Sequence, residues 1–303
     1  MSTGAHGNRP TRNQQREAAR AKAKELREQQ QKHDKRKKWI LQGSIGLAVI
    51  AIAAIITMVV TTSAPTTGPR PANMASDGIV LSGADMAGVL SDAGAPGSDP
   101  IATTPTPGSS TVNIVVYQDY ICPACKAFDE ANADTLQTLV EAGAATLEIH
   151  PIGMLWSKSA GTEYSRRSAA AAACVADFSP NTFWKVNQAF YANQPQEGTP
   201  GPTDEELAAL IGKQKPENQS KIDKCITDKT FIPWVKQATD YALNGPMTDA
   251  AVASGSTGVG TPTILVNGKV YSGSIVDSKE FLSFITQVAG ESAATPTPTP
   301  AAG

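Results

Sequence analysis

Four cysteines and three histidines are all the thiol and imidazole ligands in this 303-residue chain. A closed zinc site would need all four cysteines, and no second close pair stands at ligand spacing. His6 and His33 lie in a basic N-terminal segment, and His150 falls in an expected strand before a proline, so none completes a set. The chain also lacks a glycine-rich nucleotide loop, a Ser-His-Asp arrangement and a paired-carboxylate site. Its Asp and Glu residues read as surface charge.

Charge is missing altogether from "WILQGSIGLAVIAIAAIITMVV", residues 39–60. Twenty-two helical residues at ~1.5 Å each span ~33 Å, about the thickness of bilayer hydrocarbon. A buried core helix would show a polar stripe at helical period, and none is visible. A cleaved signal peptide would have a shorter apolar region, and Pro65 follows the only small-residue site, at Ala64. The stretch is expected to be a single transmembrane helix.

Cations are scarce beyond residue 38. Residues 1–38 hold twelve Lys/Arg and four Asp/Glu, a net of +8, so the overall −2 leaves −10 for the remainder. The cluster "KHDKRKK", residues 32–38, faces a distal flank whose sole cation is Arg70. Positive residues stay in the cytoplasm, so the chain after residue 60 is expected outside it, where disulfides persist. Residues 1–38 carry no aromatic interleaving and no folded reader, which argues against nucleic acid; a topology signal touching anionic lipid is the better reading.

Residues 61–110 are rich in Pro, Gly, Ser, Thr and Ala with no sustained helical period. They read as a flexible linker with one short strand at "GIVL". Residues 291–303 read as a disordered, Pro-rich tail. Residues 111–290 remain as the folded unit, large enough to bury roughly 70% of its surface.

Within that unit "TVNIVVYQDY" reads as a buried strand. A helix follows from Pro123 to about Gly143, with Phe128, Ala131, Leu136, Leu139 and Val140 as core positions, and "TLEIHPIGM" is a second strand. A helical block comes next. Ser179 before Pro180, and Thr203 with Glu206 stopped by Gly212, supply helix starts. Another helix is expected between Pro233 and about Ser254. Asn267-Gly268 marks a hairpin, and a last helix runs from about Ser278 to Ala289, stopped by Gly290.

"VYQDYICPACKA", residues 116–127, carries Cys122 and Cys125 where the strand meets the helix. A lone C-x-x-C is compatible with redox or metal chemistry. Compartment and surroundings must decide; at a helix start, unpaired N-H groups and the helix dipole would stabilise a thiolate. Cys122, at the exposed turn, is the expected nucleophile and Cys125, one turn deeper, the resolving partner. Cys174 and Cys225, 51 positions apart, are most simply a structural disulfide, with two buried free thiols as the alternative. Tyr117, Tyr120, Phe183, Trp184, Phe190 and Tyr191 offer a groove for unfolded substrate, but the helical spacing of Phe183, Val186 and Phe190 favours core.

Three stretches, "YQDYICPACKAF" (117–128), "RRSAAAAACVADFSPNTFWKVNQAFY" (166–191) and "GVGTPTILVNGKVYSG" (258–273), resemble in this order the DsbA-like branch of the thioredoxin superfamily. The resemblance implies an α/β thioredoxin-like fold with an inserted helical domain at about 160–254. It also implies Cys122 and Cys125 as the redox pair, with no cofactor beyond their disulfide. Pro262 matches the family's cis-proline, which would leave the Thr261 backbone free to hold an extended substrate; an ordinary trans proline opening a strand is the alternative. The implied activity is thiol-disulfide exchange on exported or unfolded proteins, with oxidation the direction the resemblance favours and a membrane quinone-linked oxidase recycling the dithiol.

Two departures stand out. The acid that the family often carries six positions before the first cysteine is here Val116, and Asp119, the nearest carboxylate, reads as a turn-capping residue. Pro-Ala between the cysteines lacks the family's histidine, and Pro123 removes an N-H donor. Neither an extreme potential nor a reaction direction follows. A reductase or isomerase, or a noncatalytic tethered binding or chaperone module, are the rival readings.

Overall fold

The computed structural model describes residues 67–103, 109–244 and 260–294. The expected basic segment (1–38) and transmembrane helix (39–60) lie outside the described residues, as does the tail beyond residue 294. Among the described residues no helix is long and apolar enough to cross a membrane.

The β-branched run after Thr111 forms β3, Val112–Gln118, buried at all seven positions. Burial on both faces is what a central strand requires. One face, with Ile114 and Val116, joins the main core. The other, with Val115 and Tyr117, packs with Ile152, Leu265 and Ala242. β3 runs parallel to β4, Ala145–Pro151, joined by helix α1, Pro123–Glu141. On its other side β3 pairs antiparallel with β5, Thr263–Val266, which turns into β6, Lys269–Val270. Asn267 and Gly268 both have positive φ at this turn, as a two-residue hairpin of this type demands.

The expectation of a flexible linker over residues 61–110 is corrected for its described part. Residues 79–82 form β1, Ile79–Ser82, which pairs antiparallel with β4 and with the short β2, Ala87–Gly88. The sheet therefore has six strands in the order β2-β1-β4-β3-β5-β6. Composition misled because the segment is held by a few buried groups instead of a periodic apolar face. Arg70 pairs with Asp77 at 2.5 Å, Trp234 donates to the same carboxylate oxygen, and Met74, Ile79 and Leu81 are buried.

Between β4 and β5 lie two short 3-10 turns, Trp156–Lys158 and Pro180–Thr182. Among the described residues five helices accompany them: α2 (Tyr164–Phe178), α3 (Phe183–Ala192), α4 (Asp204–Gly212), α5 (Gln219–Thr227) and α6 (Ile232–Asn244). The alanine-rich run of α2 is buried without a break from Ser168 to Ala176. Its small side chains allow the other helices to close around it, and Cys174 on α2 is disulfide-bonded to Cys225 on α5.

Several boundaries differ from expectation. Thr203 and Glu206 do form a reciprocal capping box, whereas the Ser179 hydroxyl accepts from the Glu217 backbone and a 3-10 turn precedes α3. On α1, Phe128, Leu136 and Val140 are buried, but Asn132 takes the buried position beside half-buried Ala131 and donates to the Phe128 and Ile275 carbonyls. The last helix, α7, runs Ser278–Ala294. It passes through Gly290, where an added Cβ would meet open space, so no close approach requires the glycine there. Residues 291–294, expected in the tail, belong to it.

Candidate active site

β3 ends at Gln118, and four residues later Cys122 is the N-cap of α1, with Pro123 in the first turn. Proline is suited to that position, where its missing N-H has no intrahelical partner to lose. Cys122 is only 5% exposed, which corrects the expectation of an open turn. The Thr261 carbonyl lies 3.2 Å from its sulfur, and the Thr261-Pro262 bond is cis. The structure thus brings Cys122, Cys125, Thr261 and Pro262 together, from two segments 139 positions apart at their contact. Gln194, beyond α3, donates to the Cys122 carbonyl at 2.9 Å, tying the helical block to the reactive turn.

Cys122 and Cys125 are both free, and their acidities diverge. Cys122 is lowered to about 6, chiefly because the Cys125 thiol donates a hydrogen bond to its thiolate. Burial opposes this, and the N-H groups of Cys125 and Ala124 reinforce the lowering. Cys125 is raised well above the usual thiol range, first by burial, then by donating to Cys122 and by the charge there. One sulfur is therefore ionised at neutral pH and the other is its proton-bearing partner.

Asp119 is where sequence reasoning fell short. It does cap the turn, accepting from the Ile121 N-H at 3.1 Å. It is also completely buried, accepts from the Leu155 N-H at 2.8 Å and the Ser165 hydroxyl at 2.7 Å, and presents its own N-H to the Cys125 sulfur at 3.5 Å. Burial pushes its carboxyl up to about 6 against those three donors. The available signal was its place in the D-Y-I-C turn, because a loop between a central strand and a buried helix end has few routes to solvent.

A second polar network lies deeper. Asn187 on α3 accepts from Gln118 and Tyr120 at 2.6 and 3.0 Å, and Asp129 on α1 accepts from Gln188 at 2.9 Å. Burial raises Asp129 to about 7. The aromatic residues considered for a groove, Tyr117, Tyr120, Phe183, Trp184, Phe190 and Tyr191, are all core. Among the described residues no cluster of His, Cys, Asp and Glu could hold a metal ion.

The thioredoxin family's sequence profile matches residues 107–287, more than half of the chain. The chain belongs to the thioredoxin family. Its structural neighbours are DsbA-type thiol-disulfide oxidoreductases. Reduced DsbA from Mycobacterium tuberculosis is 26% identical, with a TM-score of 0.51 over 73% of this chain and 100% of that one. The oxidised form of that protein gives 25% identity and the same TM-score and coverage. MdbA, a thiol-disulfide oxidoreductase from Corynebacterium matruchotii, shares the fold at 16% identity and a TM-score of 0.50, over 71% of this chain and 92% of its own. No curated protein matches the chain.

Proposed function

We propose that this protein is a membrane-anchored, extracytoplasmic thiol-disulfide oxidoreductase that introduces disulfides into exported proteins through Cys122 and Cys125. The observation that carries the reading is the split acidity of a dithiol at a helix start, with the acidic sulfur beside Thr261 and cis Pro262. A sulfur that is a stable thiolate is a good leaving group, which favours the dithiol form and so the oxidation of a partner. The likeness to M. tuberculosis DsbA supports the same chemistry.

In the oxidising direction a substrate thiolate attacks Cys122, the Cys122–Cys125 bond breaks, and Cys125 leaves and takes a proton. A second substrate thiolate then attacks the substrate sulfur of the mixed disulfide, forming the substrate disulfide and releasing Cys122 as thiolate. The residues involved need no cofactor beyond their own disulfide. Recycling requires an electron acceptor, for which a membrane quinone-linked oxidase is the proposed partner. The uncharged stretch 39–60 and its basic flank support anchoring with the N-terminus in the cytoplasm.

Incubation of the oxidised protein with reduced, unfolded ribonuclease tests the activity. Recovery of native disulfides that is lost on Cys122→Ala is the expected result. No disulfide formation alongside rapid insulin reduction would assign the opposite direction, and activity unaffected by Cys122→Ala would leave a noncatalytic module. Protease added outside intact spheroplasts should digest the folded domain; protection would reject the topology.

A further inference from the structure

We propose that Asp119 is a buried electrostatic brake on the dithiol, a fixed negative group beneath the reactive turn that opposes charge on Cys122 and so limits how strongly the reduced form is favoured. The inference rests on the thiol-disulfide reading above and names the residue that tunes it.

The placement comes first. Asp119 has no exposed surface. Its carbonyl accepts the Cys122 N-H at 3.0 Å and its N-H reaches the Cys125 sulfur, so its main chain is bonded to both halves of the dithiol. The carboxylate is held by donors from three places: Ile121 in the turn, Leu155 after β4, and Ser165 in α2. Donors of this kind favour an ionised carboxylate, and burial disfavours it. The family's usual position for a buried acid is filled by Val116, itself buried in the core. The titratable groups facing Asp119 are Cys122 and Cys125 from the turn and α1, Tyr120 from the turn, Tyr164 from α2 and Tyr191 from α3. Burial pushes all three tyrosines up, leaving them neutral across the working range. Cys125, pushed well above the usual thiol range, keeps its proton as well, so Cys122 is the partner whose charge changes with Asp119.

The consequence is a proton linked to redox state. Asp119 and Cys122 both titrate near 6, and the Cys122 charge raises Asp119; repulsion of this kind acts on both groups and makes their titration joint. Oxidation of two substrate thiols to a disulfide delivers two electrons and two protons. The electrons open the Cys122–Cys125 bond, and one proton ends on Cys125. The other is released to water at pH values well above 6, where Asp119 stays ionised, and is held by Asp119 or Cys122 below. A purely structural turn residue would need only the hydrogen bonds; the brake needs the charge.

Asp119→Asn removes the charge while its amide oxygen still accepts from Leu155 and Ser165, losing only the Ile121 N-H bond made by the other oxygen. In the full chain in detergent, the ultraviolet absorbance of the thiolate should titrate about one unit lower. The equilibrium with glutathione at pH 7 should move about tenfold toward the dithiol, equivalent to about 30 mV. An unchanged midpoint and an unchanged equilibrium in a variant with native near-ultraviolet circular dichroism would overturn the brake. Should that variant not fold, Ser165→Ala removes one donor and raises the pH at which Asp119 takes its proton; the pH profile of the glutathione equilibrium should shift upward, and an unmoved profile overturns the proposal. A wild-type chain that forms no Cys122–Cys125 disulfide at any glutathione ratio would remove the thiol-disulfide reading and the brake together. A normal disulfide with an indifferent Asp119→Asn variant removes the brake alone.

Discussion

Cys122 and Cys125 are the same chemical group three positions apart, and their surroundings give them opposite tasks. The Cys125 thiol and the N-H groups of Cys125 and Ala124 favour charge on the first, while burial dominates the second. Replacing the second with serine, Cys125→Ser, removes the resolving sulfur and leaves the capture step intact. Cells expressing that variant should accumulate mixed disulfides through Cys122, visible as reducible high-mass bands on non-reducing gels; their absence under oxidising growth would count against exchange chemistry. Asp129 makes a separate prediction. Its folded value of about 7 lies above the ordinary aspartate value of 3.8. Folding therefore takes up a proton, and the stability this contributes is lost as pH rises from about 4 to about 7. Asp119 and Asp77 act in the same sense, and Glu148, which is lowered, in the opposite one. Asp129→Asn should match wild type near pH 4 and exceed it at pH 8 by on the order of 2–4 kcal/mol, read from urea midpoints at the two pH values.

At the scale of elements, much of the architecture follows from local chemistry visible in the sequence. β3 is legible because seven residues without a charge run between Thr111 and Asp119, and the β5–β6 turn because Asn267-Gly268 accepts positive φ. The Thr203–Glu206 box is legible for the same local reason. The elements that misled depend on distant partners. The segment read as a linker is held by buried groups from elsewhere, its expected strand at "GIVL" forming β1 along the edge of β4, and the full length of α7 is not set by its glycine. Within the site, the cysteines and Pro262 were legible from motif and resemblance, whereas the burial of Asp119 depends on Leu155 and Ser165, 36 and 46 positions away. The Cys174–Cys225 bridge joins two helices of the block. Its removal as a Cys174→Ala/Cys225→Ala pair should lower stability by at most ~4 kcal/mol on the loop-entropy argument. The Cys122 titration should stay where it was, since the bridge touches neither Thr261 nor Asp119; a moved titration would show coupling between block and site.

On the scale of the whole molecule, residues 67–103 are part of the folded unit and not a tether. Arg70 and Asp77 are both buried, and the remaining oxygen of Asp77 has no hydrogen-bond partner among the described residues. Arg70→Ala leaves that carboxylate uncompensated and should cost about 3–5 kcal/mol, whereas Arg70→Met/Asp77→Asn, which keeps an acceptor for Trp234 and tolerates the positive φ of Asp77, should recover much of the loss. Thermal melts of the two variants distinguish an ion pair needed for its charge from one needed for its volume. Residues 67–103, the sheet and the helical block belong to one folded unit that holds one sulfur at a helix start beside Thr261, and the proposed chemistry depends on that sulfur being acidic. Titration of the Cys122 thiolate by its ultraviolet absorbance, in the reduced chain with Cys122→Ala as the blank, tests this most directly. A midpoint near 6 is the predicted result; a midpoint at about 8.5, the value of free cysteine, would contradict the account.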